Sequence, residues 1–131
     1  MSTPQEHFQK WRRFAGLARI CSTRFSDAPE WEIVLHFYAG VHAVEAYLKW
    51  KGPAFCARTH SDRVRMIRAR VPEIRKAADY YSDLQNLSEQ VRYDAGFQAG
   101  PTDIANAADL HRKLESLVGT KVSSKLQLPI L

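Results

Sequence analysis

The sequence predicts an all-α fold, an up-and-down bundle of about five helices, from three observations. Apolar residues recur at three- and four-residue steps along most of the 131 residues. Capping patterns and Gly-Pro breaks divide this periodicity into five segments. No stretch alternates apolar and polar residues over the length of a strand. We therefore expect one helical domain over residues 1–119 and a separate tail over 120–131.

The first helix is predicted from its start signal. Thr3-Pro4-Gln5-Glu6 combines a capping hydroxyl, a proline at the first helical position and a glutamate that caps in return. The helix should run to about Phe25, because an apolar stripe continues that far. The residues of this stripe are Trp11, Phe14, Leu17, Ala18, Cys21 and Phe25.

The second helix is predicted from Pro29 to Lys51, with Asp27 as its cap. Gly52-Pro53 ends it, since glycine suits the left-handed cap and proline cannot continue the hydrogen bonding. Apolar residues, Trp31 among them, surround much of its circumference. We expect this helix to lie at the centre of the bundle.

Three shorter segments complete the bundle. Thr59 or Ser61 caps a third, arginine-rich helix, and its predicted buried edge is Val64, Ile67 and Val71. A fourth helix runs from about Pro72 to Ala95 and should pack lengthwise against the second helix. A fifth helix runs from Pro101 or Thr102 to about Val118, with His111 on its inward face.

Composition and missing motifs narrow the functional classes. The formal net charge of +5 permits an acidic partner such as nucleic acid. Cys21 and Cys56 lie far apart, and no apolar run approaches the ~20 residues of a membrane span, so we expect a cytoplasmic protein without membrane contact. The chain has no phosphate-binding glycine loop, HExxH, GxSxG or EF-hand motif. We therefore expect no metal and no cofactor.

Two histidines and a glutamate are candidates for ligand binding or acid–base chemistry. His42 and Glu45 are three residues apart on the second helix, which places them on one face. They form either a ligand or acid–base pair, or a buried polar pair that satisfies itself or anchors an arginine. His60 either contacts a phosphate or caps the third helix.

The fourth helix carries the most prominent candidate, Arg92-Tyr93-Asp94. Base stacking needs exposed rings beside cations, and Tyr80 and Tyr93 are the tyrosines of this helix outside the predicted core stripe. Arg92 lies towards the buried side, where an arginine normally requires a carboxylate such as Glu45, Glu89 or Asp94. The candidate binding residues are His42, Glu45, His60, Arg63, Tyr80, Arg92, Tyr93 and Asp94.

The order of four segments resembles the HEPN domain superfamily over residues 5 to 118. They are HFYAGVHAVEAYL at His36–Leu48, Thr59–Arg63, Tyr80–Leu84 and Val91–Ala95. The resemblance implies a dimer with a cleft beside the arginine of the last segment. In members that are metal-independent ribonucleases, a histidine follows this arginine after four to six residues. Arg92 matches the arginine, but Phe97, Gln98 and Ala99 occupy the histidine positions.

The resemblance implies two functional hypotheses, and a third is independent of it. The first is a non-catalytic HEPN-like module that forms a homodimer through the second and fourth helices. It binds RNA, a nucleotide or a partner such as a nucleotidyltransferase, using Arg63, Arg92 and nearby tyrosines. The second is a divergent ribonuclease in which His60 or His42 supplies the missing imidazole. The third is a structural subunit without nucleic-acid affinity. The absent histidine favours the first, because no side chain there serves as general acid–base.

Overall fold

Helices form the whole fold over the part of the chain that the computed structural model describes, residues 2–24, 29–119 and 121. The described α-helices are α1 (Pro4–Arg24), α2 (Pro29–Lys51), α3 (His60–Arg70), α4 (Arg75–Tyr93) and α5 (Pro101–Leu114). Short 3-10 turns lie at Pro53–Phe55 and Pro72–Ile74, and a π-helical turn at Glu115–Gly119 follows α5. These ranges contain no strand, so the predicted all-α bundle is confirmed.

Local hydrogen bonds explain where the helices begin and end. The Thr3 hydroxyl accepts from the Glu6 N–H at 3.1 Å, and the Glu6 carboxylate accepts from the Thr3 N–H at 2.9 Å. Thr59 caps α3 by accepting from the Asp62 N–H at 3.0 Å. Gly52, with φ of 128°, follows the last residue of α2. The predicted Asp27 cap lies outside the described residues.

The second helix is central, as predicted. It packs against α1, α4 and α5, while α3 packs against α4. Gly40 lies at a close approach of α2 to α4 and α5: a Cβ added there would lie 3.0 Å from Leu114 Cδ1 and 3.3 Å from Leu84 Cδ2. The middle of α2 is therefore enclosed by its neighbours. None of the described helices is long and apolar enough to cross a membrane.

Three expectations about helix faces and ends were wrong. Trp31 and Leu17 were assigned to the core, but both are exposed, because helical periodicity does not say which positions have a neighbouring helix. Leu17 is exposed although the next residue, Ala18, is buried. The fourth helix begins after the 3-10 turn and ends at Tyr93, so Ala95 is not helical. The fifth changes to a π-helical turn after Leu114.

Candidate functional site

A buried ion pair joins α2 to α3. The Arg63 Nε lies 2.5 Å from the Glu45 Oε1, and both side chains are largely buried. Arg63 Nη1 also donates to the Tyr81 hydroxyl at 3.4 Å. Of the two interpretations of Glu45, the structure shows the one in which it anchors an arginine. The guanidinium of Arg63 is therefore occupied inside the protein.

His60 belongs to the same network and does not cap α3. Its Nδ1 lies 2.6 Å from the Tyr81 hydroxyl and 3.2 Å from Arg63 Nη1. Burial, followed by the charges of Arg63 and Arg92, lowers the pKa of His60. Burial also raises the pKa of Tyr81 to about 12. Because the guanidinium can only donate, Nδ1 accepts, and His60 is neutral with its proton on Nε2.

Arg92 lies beside three aromatic rings. Its Nη1 donates to the Tyr38 hydroxyl at 3.2 Å, and its Nε donates to the Ser88 carbonyl at 3.3 Å. The guanidinium carbon is 5.6 Å from the centroid of Phe37 and 5.1 Å from that of Tyr93. These are the geometries of cation–π contacts.

The expected carboxylate partner of Arg92 is absent among the described residues. Glu45 binds Arg63, and Glu89 accepts from the Gln85 amide at 3.0 Å. The Asp94 carboxylate accepts from the Gly96 N–H at 3.0 Å, just beyond the end of α4. A buried arginine would need an anion to stabilise its charge. Arg92 is only half-buried, so water and the aromatic faces stabilise its charge instead.

A cavity of about 350 Å³ adjoins Arg92, between the first turn of α2 and the last turns of α4. Its lining residues are Glu30, Trp31, Val34, Val91 and Arg92. The side chain of Trp31 is 63% exposed and that of Tyr93 is 76% exposed. Sequence reasoning missed Trp31. Its position between Glu30 and Glu32 in the first helical turn was the available signal, because burial is least complete at a helix end.

His42 binds a histidine of α1. The Nδ1 atoms of His7 and His42 are 2.9 Å apart, and the two rings stack. Burial is the main cause that lowers the pKa of His42 to about 4, and the neighbouring charges of His7, Lys10 and Arg63 act in the same direction. His7 Nε2 lies 3.9 Å from Glu45, so His7 connects His42 to the ion pair. No sequence pattern relates residues 35 positions apart.

A second histidine pair lies where α1, α2 and α5 meet. The Nδ1 atoms of His36 and His111 are 2.9 Å apart, and Trp11 donates to His111 Nε2 at 3.3 Å. Glu32 and Glu115 each lie 3.5 Å from the Nε2 of one histidine. Since the carboxylates approach Nε2 while the Nδ1 atoms face each other, the four groups do not converge on one point. The described part of the chain holds no cluster arranged for a metal ion.

The predicted site residues separate into two groups. His42, Glu45, His60, Arg63 and Arg92 lie around Phe37 and Tyr38 of α2, and Tyr93 adjoins Arg92. Tyr80 lies elsewhere, with the ammonium of Lys113 5.6 Å from its ring centroid. Tyr81, which sequence reasoning assigned to the core, is buried there, and its hydroxyl joins the polar network.

Comparisons of the chain with models of protein families, with curated proteins and with solved structures found no match. The geometry of the sites is then the basis for a function. One site is the enclosed network of Glu45, Arg63, His60 and Tyr81, whose polar groups satisfy one another. The other is Arg92 beside an open cavity and two exposed rings, Trp31 and Tyr93. Only the second is arranged to take a ligand from solvent.

Proposed function

We propose that the protein is a non-catalytic HEPN-like module that binds single-stranded RNA at Arg92, Trp31 and Tyr93. One observation carries the proposal: Arg92 and the largely exposed Trp31 line an open cavity, and the largely exposed ring of Tyr93 contacts the Arg92 guanidinium. Nucleobases stack on exposed aromatic rings, and arginine beside them binds the backbone phosphate. This combination is the usual one in proteins that bind single strands.

The hydrogen bonding of Arg92 leaves room for a phosphate. Its guanidinium has five N–H donors, of which one binds Tyr38 and one binds Ser88. The other three have no partner among the described residues. Because the two internal bonds hold the guanidinium in place, little side-chain entropy remains to be lost when a phosphate binds.

The proposed module is a homodimer, as the HEPN resemblance implies. Trp31 lies in the first turn of α2 and Tyr93 ends α4, which are the two helices expected at the interface. A two-fold axis beside these helix ends brings the two Arg92 side chains into one cleft. A partner such as a nucleotidyltransferase is the alternative occupant of the same surface, and it would compete with RNA.

The state of His60 supports binding without cleavage. Positions 97–99 carry no histidine, and His60 is neutral with Nδ1 occupied by Arg63 and Tyr81. A general acid must carry a proton that it can release, and the lowered pKa keeps His60 from acquiring a second proton at neutral pH.

A divergent ribonuclease is the second candidate, and one observation favours it. His60 and Arg92 contact the same ring: the Phe37 centroid is 5.2 Å from the centroid of His60 and 5.6 Å from the Arg92 guanidinium carbon. In that mechanism the His60 Nδ1 would exchange its contacts with Arg63 and Tyr81 for the ribose 2′-hydroxyl and accept its proton as that oxygen attacks the phosphorus. Arg92 would bind the phosphate, and the leaving 5′-oxygen would take a proton from water. RNA cleavage in EDTA that is lost in His60→Ala would establish this function and overturn the first.

Fluorescence anisotropy with a labelled cytidine octamer in EDTA tests the proposal. Trp31→Ala and Arg92→Gln should each weaken binding by about tenfold, since stacking and charged hydrogen bonds contribute about 1–3 kcal/mol each. Arg13→Gln, an exposed arginine on α1, is the matched charge control and should change affinity little. Equal effects of Arg92→Gln and Arg13→Gln, or no affinity in the folded wild type, would contradict RNA binding at this site.

A further inference from the structure

A second concave surface lies between α3 and α4. It has a volume of about 410 Å³ and is lined by Ser61, Val64, Arg65, Arg68, Ser82 and Gln85. On the basis of the RNA binding proposed above, we propose that this α3–α4 groove holds the sugar-phosphate backbone of the same RNA strand. The groove then extends the site at Arg92 from one nucleotide to several.

The chemistry of the lining favours a nucleic-acid backbone over an acidic protein. Two guanidinium groups, two hydroxyls and one primary amide line the groove, and each is a type of group that donates hydrogen bonds to phosphate or ribose oxygens. The Gln85 amide uses one of its two N–H groups to bind Glu89. A protein helix that docks in a groove needs apolar pockets for its anchoring side chains. Among the residues that the structure describes, Val64 is the one apolar residue that lines this groove.

The groove and Arg92 lie on one face of α4, with Glu89 between them. Gln85 and Arg92 are seven residues apart, which is about two helical turns or ~10 Å along the axis. On α3, Ser61, Arg65 and Arg68 follow each other at four- and three-residue steps and share the facing side. Ser61 directly follows His60, which contacts Tyr81 of α4. A strand anchored at Arg92 therefore passes Glu89 and reaches Ser61 and Gln85 before the α3 arginines.

The segment around α3 carries a surplus of positive charge, and two of its arginines, Arg65 and Arg68, line the groove. Residues 58–76 contain seven Lys or Arg and two Asp or Glu, a surplus of five that equals the net charge of the whole chain. The side chains of Arg65 and Arg68 are 76% and 50% exposed. Their partners are Asp62 at 3.7 Å and Asp79 at 2.9 Å. Exposed pairs of this kind contribute little, so a phosphate can replace the aspartates.

The experiment compares cytidine oligomers of three and twelve nucleotides. In the wild type the longer oligomer should bind more tightly, because it reaches the groove. Arg65→Gln/Arg68→Gln should remove most of this gain with length. It should also reduce the slope of log K against log salt for the 12-mer by about 1.4, since each single-strand phosphate contact contributes about 0.7. Arg75→Gln/Lys76→Gln removes the same charge from exposed positions outside the groove and should retain the gain.

Three results would overturn the groove proposal, and they differ in what they imply for RNA binding at Arg92. If the 3-mer binds but the 12-mer gains nothing, or both double variants lose the gain equally, the groove proposal fails and RNA binding at Arg92 stands. If neither oligomer binds the folded protein, the proposed function fails and the groove proposal fails with it. If poly-glutamate displaces the 12-mer at equal charge concentration, the partner of the groove is an acidic protein, which overturns the RNA assignment.

Discussion

The carboxylate of Glu45 lies 2.5 Å from the guanidinium of Arg63, in a largely protected position between α2 and α3. Through Arg63 the same pair reaches the hydroxyl of Tyr81 and the ring of His60. The ion pair thus fixes α3 against both α2 and α4. The first prediction follows from its burial.

Glu45→Ala should lower the free energy of unfolding by about 3 kcal/mol, because it leaves the Arg63 charge enclosed without its anion. Urea denaturation followed by circular dichroism measures this change. Asp79→Ala is the matched control: it also removes the acidic partner of an arginine, but from an exposed pair, and should cost less than about 1 kcal/mol. Equal losses in the two variants would show that burial of the pair does not matter.

Glu30 should give the Arg92 site a base preference. Its carboxylate lines the cavity beside Trp31, where it can accept from the exocyclic amino group of cytosine but not from the carbonyl of uracil. We expect cytidine oligomers to bind about tenfold more tightly than uridine oligomers, because cytosine makes one additional hydrogen bond to a charged group. Glu30→Gln should reduce this ratio, whereas Glu89→Gln, outside the cavity, should leave the ratio unchanged. A ratio that is the same in all three proteins would exclude Glu30 as the reader of the base.

The His36–His111 pair should make stability depend on pH. Burial lowers the pKa of His36 to about 4 and that of His111 to about 3, so the unfolded chain binds more protons below pH 6.5 than the folded one. Stability is then complete above about pH 7 and decreases as the pH falls. The charged groups that act on the pair are Glu32, Glu115 and Arg19.

Between pH 7 and pH 5, the pair should lower the free energy of unfolding by about 4 kcal/mol, which is about 2 kcal/mol for each histidine. Urea titrations at half-unit pH steps measure the decrease. In His36→Gln/His111→Gln the curve should be flatter over this range, since glutamine does not titrate. Parallel curves for the wild type and the double variant would mean that the pair contributes nothing to the pH dependence.

Gly119→Ala should destabilise the protein by about 1–3 kcal/mol through overpacking. A Cβ at residue 119 would come within 2.9 Å of Trp11 Cζ2, and the indole of Trp11 is buried in the core. Gly16→Ala is the control, because its Cβ would meet Arg19 Nη2 at 3.9 Å and no closer neighbour outside its own helix. That substitution should stabilise α1 by up to about 1 kcal/mol through helix propensity. Thermal melts measure the change in melting temperature of each variant. Equal changes in the two variants would show that the close packing at Trp11 does not affect stability.

The sequence by itself determined the five helices and the ends that local caps define, because the groups responsible are close together in the chain. Thr3 and Glu6 cap each other across three residues, Thr59 caps α3, and Gly52 follows α2. Apolar periodicity likewise predicted the central position of α2. These interactions join residues that are close in the chain, so the sequence alone predicts them.

Only the tertiary structure decided which polar groups meet and which rings remain exposed. His7 meets His42 across 35 residues and His36 meets His111 across 75, and no local pattern encodes such pairs. Trp31 looked like a core residue by its periodicity. Its exposure depends on where α4 ends, which is a property of packing between helices. The site at Arg92 therefore exists only once α2 and α4 lie side by side, although its arginine was visible in the sequence.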